Sequence, residues 1–337
     1  MGSSIRAGGL LSLGAGVLIA LAVAPGCLCA KPKFDADEES NYVPKDTGQE
    51  ETLQKARTVL ELDTPRGFAV DEKFIYFFQE TTLKKVPISA SEGDEQIVVC
   101  SGVEPGPGPK MGGNYLYWAV SGETEVKIMA VSKEGGPATK AAVTKPLVRD
   151  LAGDSTSLFW ITFPPGNDKG HDGTIYRLAS PGEQPKTIAT KLAYPNLLAL
   201  DSSGGDVYFT TIEGAVVQRV PKKGGALAAL DGAKEWSQEI AVTHKWVYWV
   251  KGKEIMRVAK GGGESKNVVT ESESPLAMTS DDNTIYWAGK DGTVKRLADG
   301  TTEPELLAKD QNRIDQILVN GTGIFWETKS AIMTIPK

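Results

Sequence analysis

The stretch that decides the fold runs from residue 240 to residue 269 and reads IAVTHKWVYWVKGKEIMRVAKGGGESKNVV. Four short segments rich in β-branched and aromatic residues alternate in it with turn residues, which is typical of successive β-strands. The second segment contains the triplet Val247-Tyr248-Trp249, and the third has an aliphatic-x-polar-aliphatic form over Ile255–Val258. The stretch therefore predicts a unit of four short strands.

The same unit recurs along the chain. Its marker is an aliphatic-aromatic-aromatic triplet that occurs seven times, at residues 75–77, 116–118, 158–160, 207–209, 247–249, 285–287 and 324–326. The central aromatic residues lie 41, 42, 49, 40, 38 and 39 residues apart, a spacing typical of propeller blades. We therefore predict an all-β protein, a seven-bladed β-propeller of four-stranded blades over residues 52–337, with the triplets packed between blades.

The two ends of the repeat indicate how the ring closes. The seventh copy ends at Lys337 after its third strand, and the segment TLQKARTVLELD at residues 52–63 precedes the first copy. The N-terminal strand is therefore expected to complete the last blade, which removes the open sheet edges of a linear array.

Composition agrees with this fold and narrows the function. Gly and Pro number 37 and 19 among 337 residues, an excess that suits a chain with many turns. The formal net charge of −6 argues against a nucleic-acid-binding protein. The chain has only two histidines, His171 and His244, which argues against multi-histidine metal sites and most His-based triads. Catalysis is therefore an open question, and a binding protein is favoured.

The first 26 residues resemble a bacterial lipoprotein signal peptide. Arg6 precedes an uncharged, mostly apolar run from Leu10 to Ala24, which is short for a membrane span and suits a secretory signal. Residues 24–27, APGC, resemble a lipobox. The resemblance implies that Cys27 is lipidated and anchors the protein to a bacterial membrane through two or more acyl chains. An uncleaved anchor and an ordinary secretory signal are the alternatives.

Residues 27–51 are predicted to be a disordered acidic tether, because they are polar and low in aliphatic residues. Leu28 follows the lipidation site, and the lipoprotein resemblance then favours the periplasmic or outer face of the outer membrane. Exported proteins meet an oxidising compartment, so Cys29 and Cys100 could pair, or they could remain separate thiols.

The repeats resemble two groups of propellers. The Tyr-Trp pairs are similar to the YWTD class, but the Thr-Asp half is absent after Trp118, Trp249 and Trp287. The chain is more similar to a broad set of bacterial lipoproteins with IYW…RVPK-type repeats, through residues 207–209 followed by residues 219–222. These resemblances imply the fold and, by analogy alone, a binding or scaffold role.

The candidate binding site is a ring of side chains at the mouth of the central channel. The first strand of each repeat is a short apolar segment, such as Ile240-Ala241-Val242 in the quoted stretch. The ring consists of the residue two positions before this apolar motif in each repeat: Arg66, Pro109, Arg149, Asn196, Gln238, Ser274 and Asp315. Packing requires repetition whereas a ligand site requires variation, so a ring of different residues favours binding. Drift of loop sequences is the alternative. The expected partner is a cell-envelope protein or glycan, bound by a monomer whose membrane contact is its lipid anchor.

A second candidate site is the long connection ITFPPGNDKGHDG at residues 161–173. It holds Asp168, His171 and Asp172, which could bind a metal, with Ca²⁺ or Mg²⁺ as the ion, or could be a solvated insertion. A metal here would favour the alternative function, a hydrolase or lyase similar to the lactonase and streptogramin-lyase propellers. Without their catalytic motifs, a propeller that needs no cofactor is the main prediction.

Overall fold

The fold is that of a seven-bladed β-propeller. A computed structural model describes residues 53, 55–144, 147–163, 172–202, 204–212, 217–231 and 237–337. These residues form 28 strands in seven four-stranded antiparallel sheets. The predicted fold class is confirmed. No helix long and apolar enough to span a membrane occurs among them. The predicted signal peptide and the whole predicted tether, with Cys27 and Cys29, lie outside the described residues.

Each blade consists of strands that follow one another in the chain, except the last. Blades 1 and 2 contain β2 (Phe68–Val70), β3 (Phe74–Gln79), β4 (Thr82–Pro87) and β5 (Ile97–Cys100), then β6 (Lys110–Gly112), β7 (Tyr115–Ser121), β8 (Val126–Ser132) and β9 (Thr139–Thr144). Blades 3 and 4 contain β10 (Val148–Gly153), β11 (Leu158–Thr162), β12 (Gly173–Leu178) and β13 (Lys186–Leu192), then β14 (Pro195–Leu200), β15 (Asp206–Thr211), β16 (Val217–Pro221) and β17 (Ala228–Ala229). Blades 5 and 6 contain β18 (Ile240–Val242), β19 (Trp246–Lys251), β20 (Glu254–Ala259) and β21 (Lys266–Thr270), then β22 (Pro275–Ser280), β23 (Thr284–Gly289), β24 (Val294–Ala298) and β25 (Glu305–Ala308). Blade 7 contains β26 (Gln316–Val319), β27 (Gly323–Glu327), β28 (Ala331–Pro336) and the N-terminal β1 (Arg57–Glu61).

The ring closes through β1, as predicted. This strand pairs antiparallel with β28 and forms the outer strand of blade 7. Beyond it, the Leu62 N–H donates to the Ser330 carbonyl over 2.8 Å. The Arg57 guanidinium donates to the carbonyls of Ile88 and Ala90 in blade 1, at 2.7 and 2.5 Å. The N-terminal strand therefore joins the first and last blades.

The aromatic triplets form the core between blades. Successive residues of a strand point to opposite faces, so the central aromatic residue packs on one neighbouring blade and its two flanking residues on the other. Tyr286 of blade 6 packs with Trp326 of blade 7, and Phe325 of blade 7 packs with Phe77 of blade 1. All four side chains are no more than 2 % exposed, which confirms the packing prediction.

A polar contact not predicted from the sequence also repeats between blades. It joins the aspartate directly after strand one of a blade to the lysine directly after strand three of the next. The four pairs are Asp71–Lys133, Asp154–Lys222, Asp201–Lys260 and Asp281–Lys337, with N···O distances of 3.7, 2.8, 2.6 and 2.8 Å. Between blades 5 and 6 the acid lies on the other side of the contact. Thr243, directly after strand one of blade 5, donates to Asp299, directly after strand three of blade 6, over 3.0 Å. We call these contacts the inter-blade latches.

Cys100 ends β5 and its thiol is buried and free among the described residues. Burial raises the pKa of this thiol. The predicted alternatives for Cys29 and Cys100 stay untested, because Cys29 lies outside the described part of the chain.

Candidate functional site

The first strands of the blades surround a central channel with a volume of about 1070 Å³. Aliphatic side chains of these strands, such as Val70, Leu151 and Ile317, line its wall. Strand one starts, and strand two ends, at the same opening, since the two strands are antiparallel and Gln316 pairs with Glu327. We call this opening the mouth.

Charged side chains collect at the mouth, and acids outnumber bases. The charged residues lining the channel are Arg66, Glu104, Lys110, Asp150, Glu239, Asp315 and Glu327. None of them belongs to the repeated motif that forms the blades. The repeat does not require different charged residues in different blades, and this variety makes the mouth the candidate functional site.

Asp150 is held in place by two backbone donors on neighbouring blades. Its Oδ1 accepts the Leu151 N–H in blade 3, and its Oδ2 accepts the Leu198 N–H in blade 4, both over 2.8 Å. Burial raises the pKa of Asp150 above its ordinary value, and the positive charge of Lys110 and the two N–H donors oppose that rise. The carboxyl group is thus pre-oriented, and its charge is only partly compensated.

Glu239 precedes strand one of blade 5 and lies in the same electrostatic environment. Burial raises its pKa to about 8, and the nearby charge of Asp150 adds to the effect. Lys110 and the Met278 N–H act in the opposite direction. Near neutral pH, Glu239 is therefore protonated in much of the protein.

Glu327 ends strand two of blade 7 and is 6 % exposed. Its Oε2 accepts the Gly67 N–H over 2.8 Å. Burial raises its pKa to about 7, with the Gly67 hydrogen bond opposing and Asp315 assisting the rise. Gly67 has φ of 85°, and a Cβ there would lie 2.7 Å from the Pro107 carbonyl oxygen, so only glycine brings this donor to the carboxylate.

The ring predicted from the sequence is only partly at the channel. Arg66, Pro109 and Asp315 line it, whereas Arg149, Asn196, Gln238 and Ser274 are not among the described lining residues. Arg149 is exposed, Asn196 is partly buried in β14, and Gln238 accepts a 2.6 Å hydrogen bond from Ser274. Their role in binding remains a prediction.

The residues that face the channel stand one position later in the sequence. Lys110, Asp150, Glu239 and Gln316 each directly precede the apolar motif and line the channel. For Asp150, strand one has an irregular register between Val148 and Asp150, and such a bulge re-aims the side chains that follow it. In these four blades, a polar residue immediately before the apolar motif was the signal that could have located them.

The second predicted site is largely outside the described residues, because these omit Asp168 and His171. Asp172 is described and exposed. Among the described residues, no three His, Cys, Asp or Glu side chains lie close enough together to hold a metal ion. The metal site with Asp168, His171 and Asp172, and its Ca²⁺ or Mg²⁺, remain predictions.

Comparison with known proteins shows the fold and no closer relationship. No family model and no curated protein matches the sequence. The structure of YCF48 bound to D1 peptide is similar over 83 % of this chain and 95 % of that chain, with a TM-score of 0.60 and 15 % identity. The computationally designed Ika8 protein (83 % and 100 % coverage, TM-score 0.57, 11 % identity) and Saccharomyces cerevisiae Sqt1 (84 % and 100 %, 0.55, 9 %) are also similar. The chain is a β-propeller.

The raised pKa of Glu239 predicts a pH dependence of stability. A carboxyl whose pKa is higher folded than unfolded favours the fold below about pH 4.5, its unfolded value, and loses that contribution as the pH rises towards 8. The free energy of unfolding of Glu239→Gln, relative to that of wild type, should therefore increase by about 2–3 kcal/mol from pH 5 to pH 9. This figure is smaller than the full pKa shift would give, because water in the channel screens the charge. Urea unfolding at both pH values measures it. Glu273→Gln, an exposed control, should show no gain. An equal gain in both variants would contradict the assignment.

Proposed function

We propose that this protein is a binding or scaffold module tethered to a bacterial membrane of the cell envelope, and that its partner docks at the mouth of the channel. The propeller fold is consistent with such a role. The observation that carries the proposal is the mouth itself, where Lys110, Asp150, Glu239 and Glu327 differ from blade to blade. Asp150 and Glu327 each accept a backbone N–H of the neighbouring blade, but such contacts do not require a different charged residue in each blade. Charges that are partly or fully buried are costly, so a partner is the best reason for this variety.

The chemistry of the channel favours a protein over a glycan. Among the described residues that line it, Phe68 is the one aromatic side chain, and it is fully buried. A glycan site usually presents an exposed aromatic face on which a sugar ring can stack. Charged groups over an apolar wall suit a polypeptide segment instead. The structural neighbour YCF48, seen with a peptide, supports the same choice by analogy.

The tether follows from the lipoprotein-like N terminus. A lipidated Cys27 would hold the protein at a membrane, and 25 residues of polar chain from 27 to 51 would let the propeller reach its partner. The surface of the outer membrane, at its periplasmic or outer face, is the location that the resemblance favours.

In vivo photo-crosslinking tests the proposal. A benzophenone amino acid replaces Asp315 at the mouth, or Asn283, an exposed residue in the turn after strand one at the other end of blade 6. We expect a discrete protein adduct from position 315 and not from position 283. Adding Cys27→Ala should reduce the adduct strongly, because the propeller is then no longer held beside a membrane partner. Identical adducts from both positions, or no adduct from 315, would overturn the mouth as the docking site.

A further inference from the structure

We propose that Arg257 and Trp246 of blade 5 form a binding site for a carboxylate group that comes from outside the chain. Trp246 begins strand two of its blade, so the site lies at the end of the blade away from the mouth and goes beyond the proposed function. The reason is that Arg257 lacks the side-chain acceptor that the equivalent arginines of three other blades have.

Four blades carry an arginine at the same place in strand three, opposite the central aromatic residue of the triplet. These arginines are Arg177, Arg219, Arg257 and Arg296, and their register partners are Phe159, Tyr208, Tyr248 and Tyr286. Cross-strand partners lie side by side on one face of a sheet. The four arginines can therefore be compared position by position within one chain.

In blades 3, 4 and 6 the arginine donates to one of two neighbouring side chains. The acceptor is either the residue directly before the triplet or the arginine's own partner on strand four. The pairs are Arg177–Ser157, Arg219–Asp206 and Arg296–Glu305, with N···O distances of 2.9, 2.7 and 2.8 Å. Arg296 makes a second bond to Glu305 over 2.9 Å, so that pair is bidentate.

Blade 5 has no acceptor at either position, because Trp246 precedes the triplet and Lys266 is the strand-four partner of Arg257. Among the described residues, the buried Nε and Nη1 of Arg257 have no hydrogen-bond partner, and no acid lies within the 4.0 Å of an ion pair. Arg257 contacts the Tyr248 hydroxyl, but this hydroxyl donates to Asp299 over 2.8 Å. The arginine is thus left with two unused donors.

An external anion would relieve this arrangement. Buried donors without acceptors cost free energy because they have lost their hydrogen bonds to water, and Lys266 places a like charge directly opposite Arg257. The other blades indicate which anion fits. Where the repeat gives this row of arginines a charged acceptor, in Asp206 and Glu305, that acceptor is a carboxylate.

Trp246 supplies the second surface of the site. Its ring centroid lies 4.4 Å from the Arg257 Cζ. A guanidinium group can stack on an indole ring with its face and bind a carboxylate with its edge, so the ring and the ligand do not compete. Both side chains are partly exposed, and exposed side chains change rotamer rapidly. The binding step is a rotation of this pair that turns Nε and Nη1 towards the ligand.

Fluorine NMR of the full chain in detergent, labelled with 5-fluorotryptophan, tests the site. The Trp246 signal is the one that Trp246→Phe removes. The probes, at constant ionic strength, are Ac-Gly-Glu-Gly-amide, its glutamine analogue and sodium acetate. We expect the glutamate peptide to shift this signal saturably and to bind about fivefold or more tighter than the glutamine peptide. Acetate that binds as tightly as the glutamate peptide would identify a free carboxylate as the ligand, and weaker acetate binding would identify an acidic protein segment.

Three variants separate this site from general effects of charge and unfolding. Arg257→Met keeps an apolar stem and should weaken the glutamate peptide about fivefold or more, whereas the matched Arg177→Met in blade 3 should not. Lys266→Glu gives blade 5 the acceptor that Glu305 provides in blade 6, so it should weaken the peptide as strongly without lowering the melting temperature. No saturable shift, an equal shift with the glutamine peptide, or equal effects of Arg257→Met and Arg177→Met would overturn the proposal.

Discussion

Deleting residues 52–63 is expected to abolish cooperative folding of the propeller. The deletion removes β1, and with it Val59, Leu60 and Leu62, which are 1 %, 7 % and 6 % exposed. Burial of one aliphatic side chain contributes about 1.5–3 kcal/mol to stability. The loss of all three is therefore comparable with the whole free energy of unfolding of a typical domain, about 5–15 kcal/mol. The deletion also exposes the edge of β28, which then becomes a site for pairing with other chains.

A thermal melt followed by circular dichroism measures this effect. The matched control deletes residues 31–42, twelve residues of the predicted tether, and should leave the melting temperature unchanged. Point variants separate the packing from the chain length: Val59→Asp should reproduce most of the loss, and Glu61→Gln, at an exposed position of the same strand, should not. An intact, cooperative melt after the 52–63 deletion would disprove closure by β1.

Replacing Asp281 with alanine is expected to cost about 2–4 kcal/mol of stability, the range for breaking a partly buried ion pair reduced for exposure. Asp281 accepts hydrogen bonds from the N–H groups of Asn283 and Thr284, both at 2.9 Å, and from the Tyr286 hydroxyl at 2.8 Å. It also forms the latch to Lys337 of blade 7 at 2.8 Å. One substitution therefore leaves a lysine, a tyrosine hydroxyl and two backbone donors without their acceptor.

The loss should be smaller in acid. Burial raises the pKa of Asp281, but the hydrogen bonds from Lys337, Asn283 and Tyr286 outweigh it, so the pKa is lower than usual. Such a group stabilises the fold above its unfolded pKa of about 3.9 and loses that contribution as the pH falls through its folded pKa. Urea unfolding from pH 7 down to pH 3 should show the gap between wild type and Asp281→Ala closing.

The control for this experiment is Asp291→Ala in the same blade. Asp291 also accepts hydrogen bonds in a turn, from the N–H and hydroxyl of Thr293, but it is exposed and belongs to no latch. We expect it to cost less than about 1 kcal/mol. Equal losses of stability for Asp281→Ala and Asp291→Ala would mean that the ion pair with Lys337 adds nothing to the hydrogen bonds that Asp281 accepts within its own turn.

The latches also show where sequence reasoning stopped short. Asp71, Asp154 and Asp201 each follow the apolar segment of strand one, and each latch lysine directly follows strand three. Each lies at a fixed place in its own repeat, but the contact joins one repeat to the next. The sequence pattern of one blade does not specify how the next blade is rotated about the channel, and this rotation is what brings the aspartate and the lysine into contact.

The sequence by itself determined the number of blades, the packing role of the triplets and the closing strand, because strand periodicity and repeat length are local properties. The tertiary structure alone decided which rim residues face the channel. Asp150 lines the channel in place of its neighbour Arg149, and the register of its strand is irregular between Val148 and Asp150. One residue of register exchanges the two faces of a strand, and register is set by pairing between strands, which no single segment encodes.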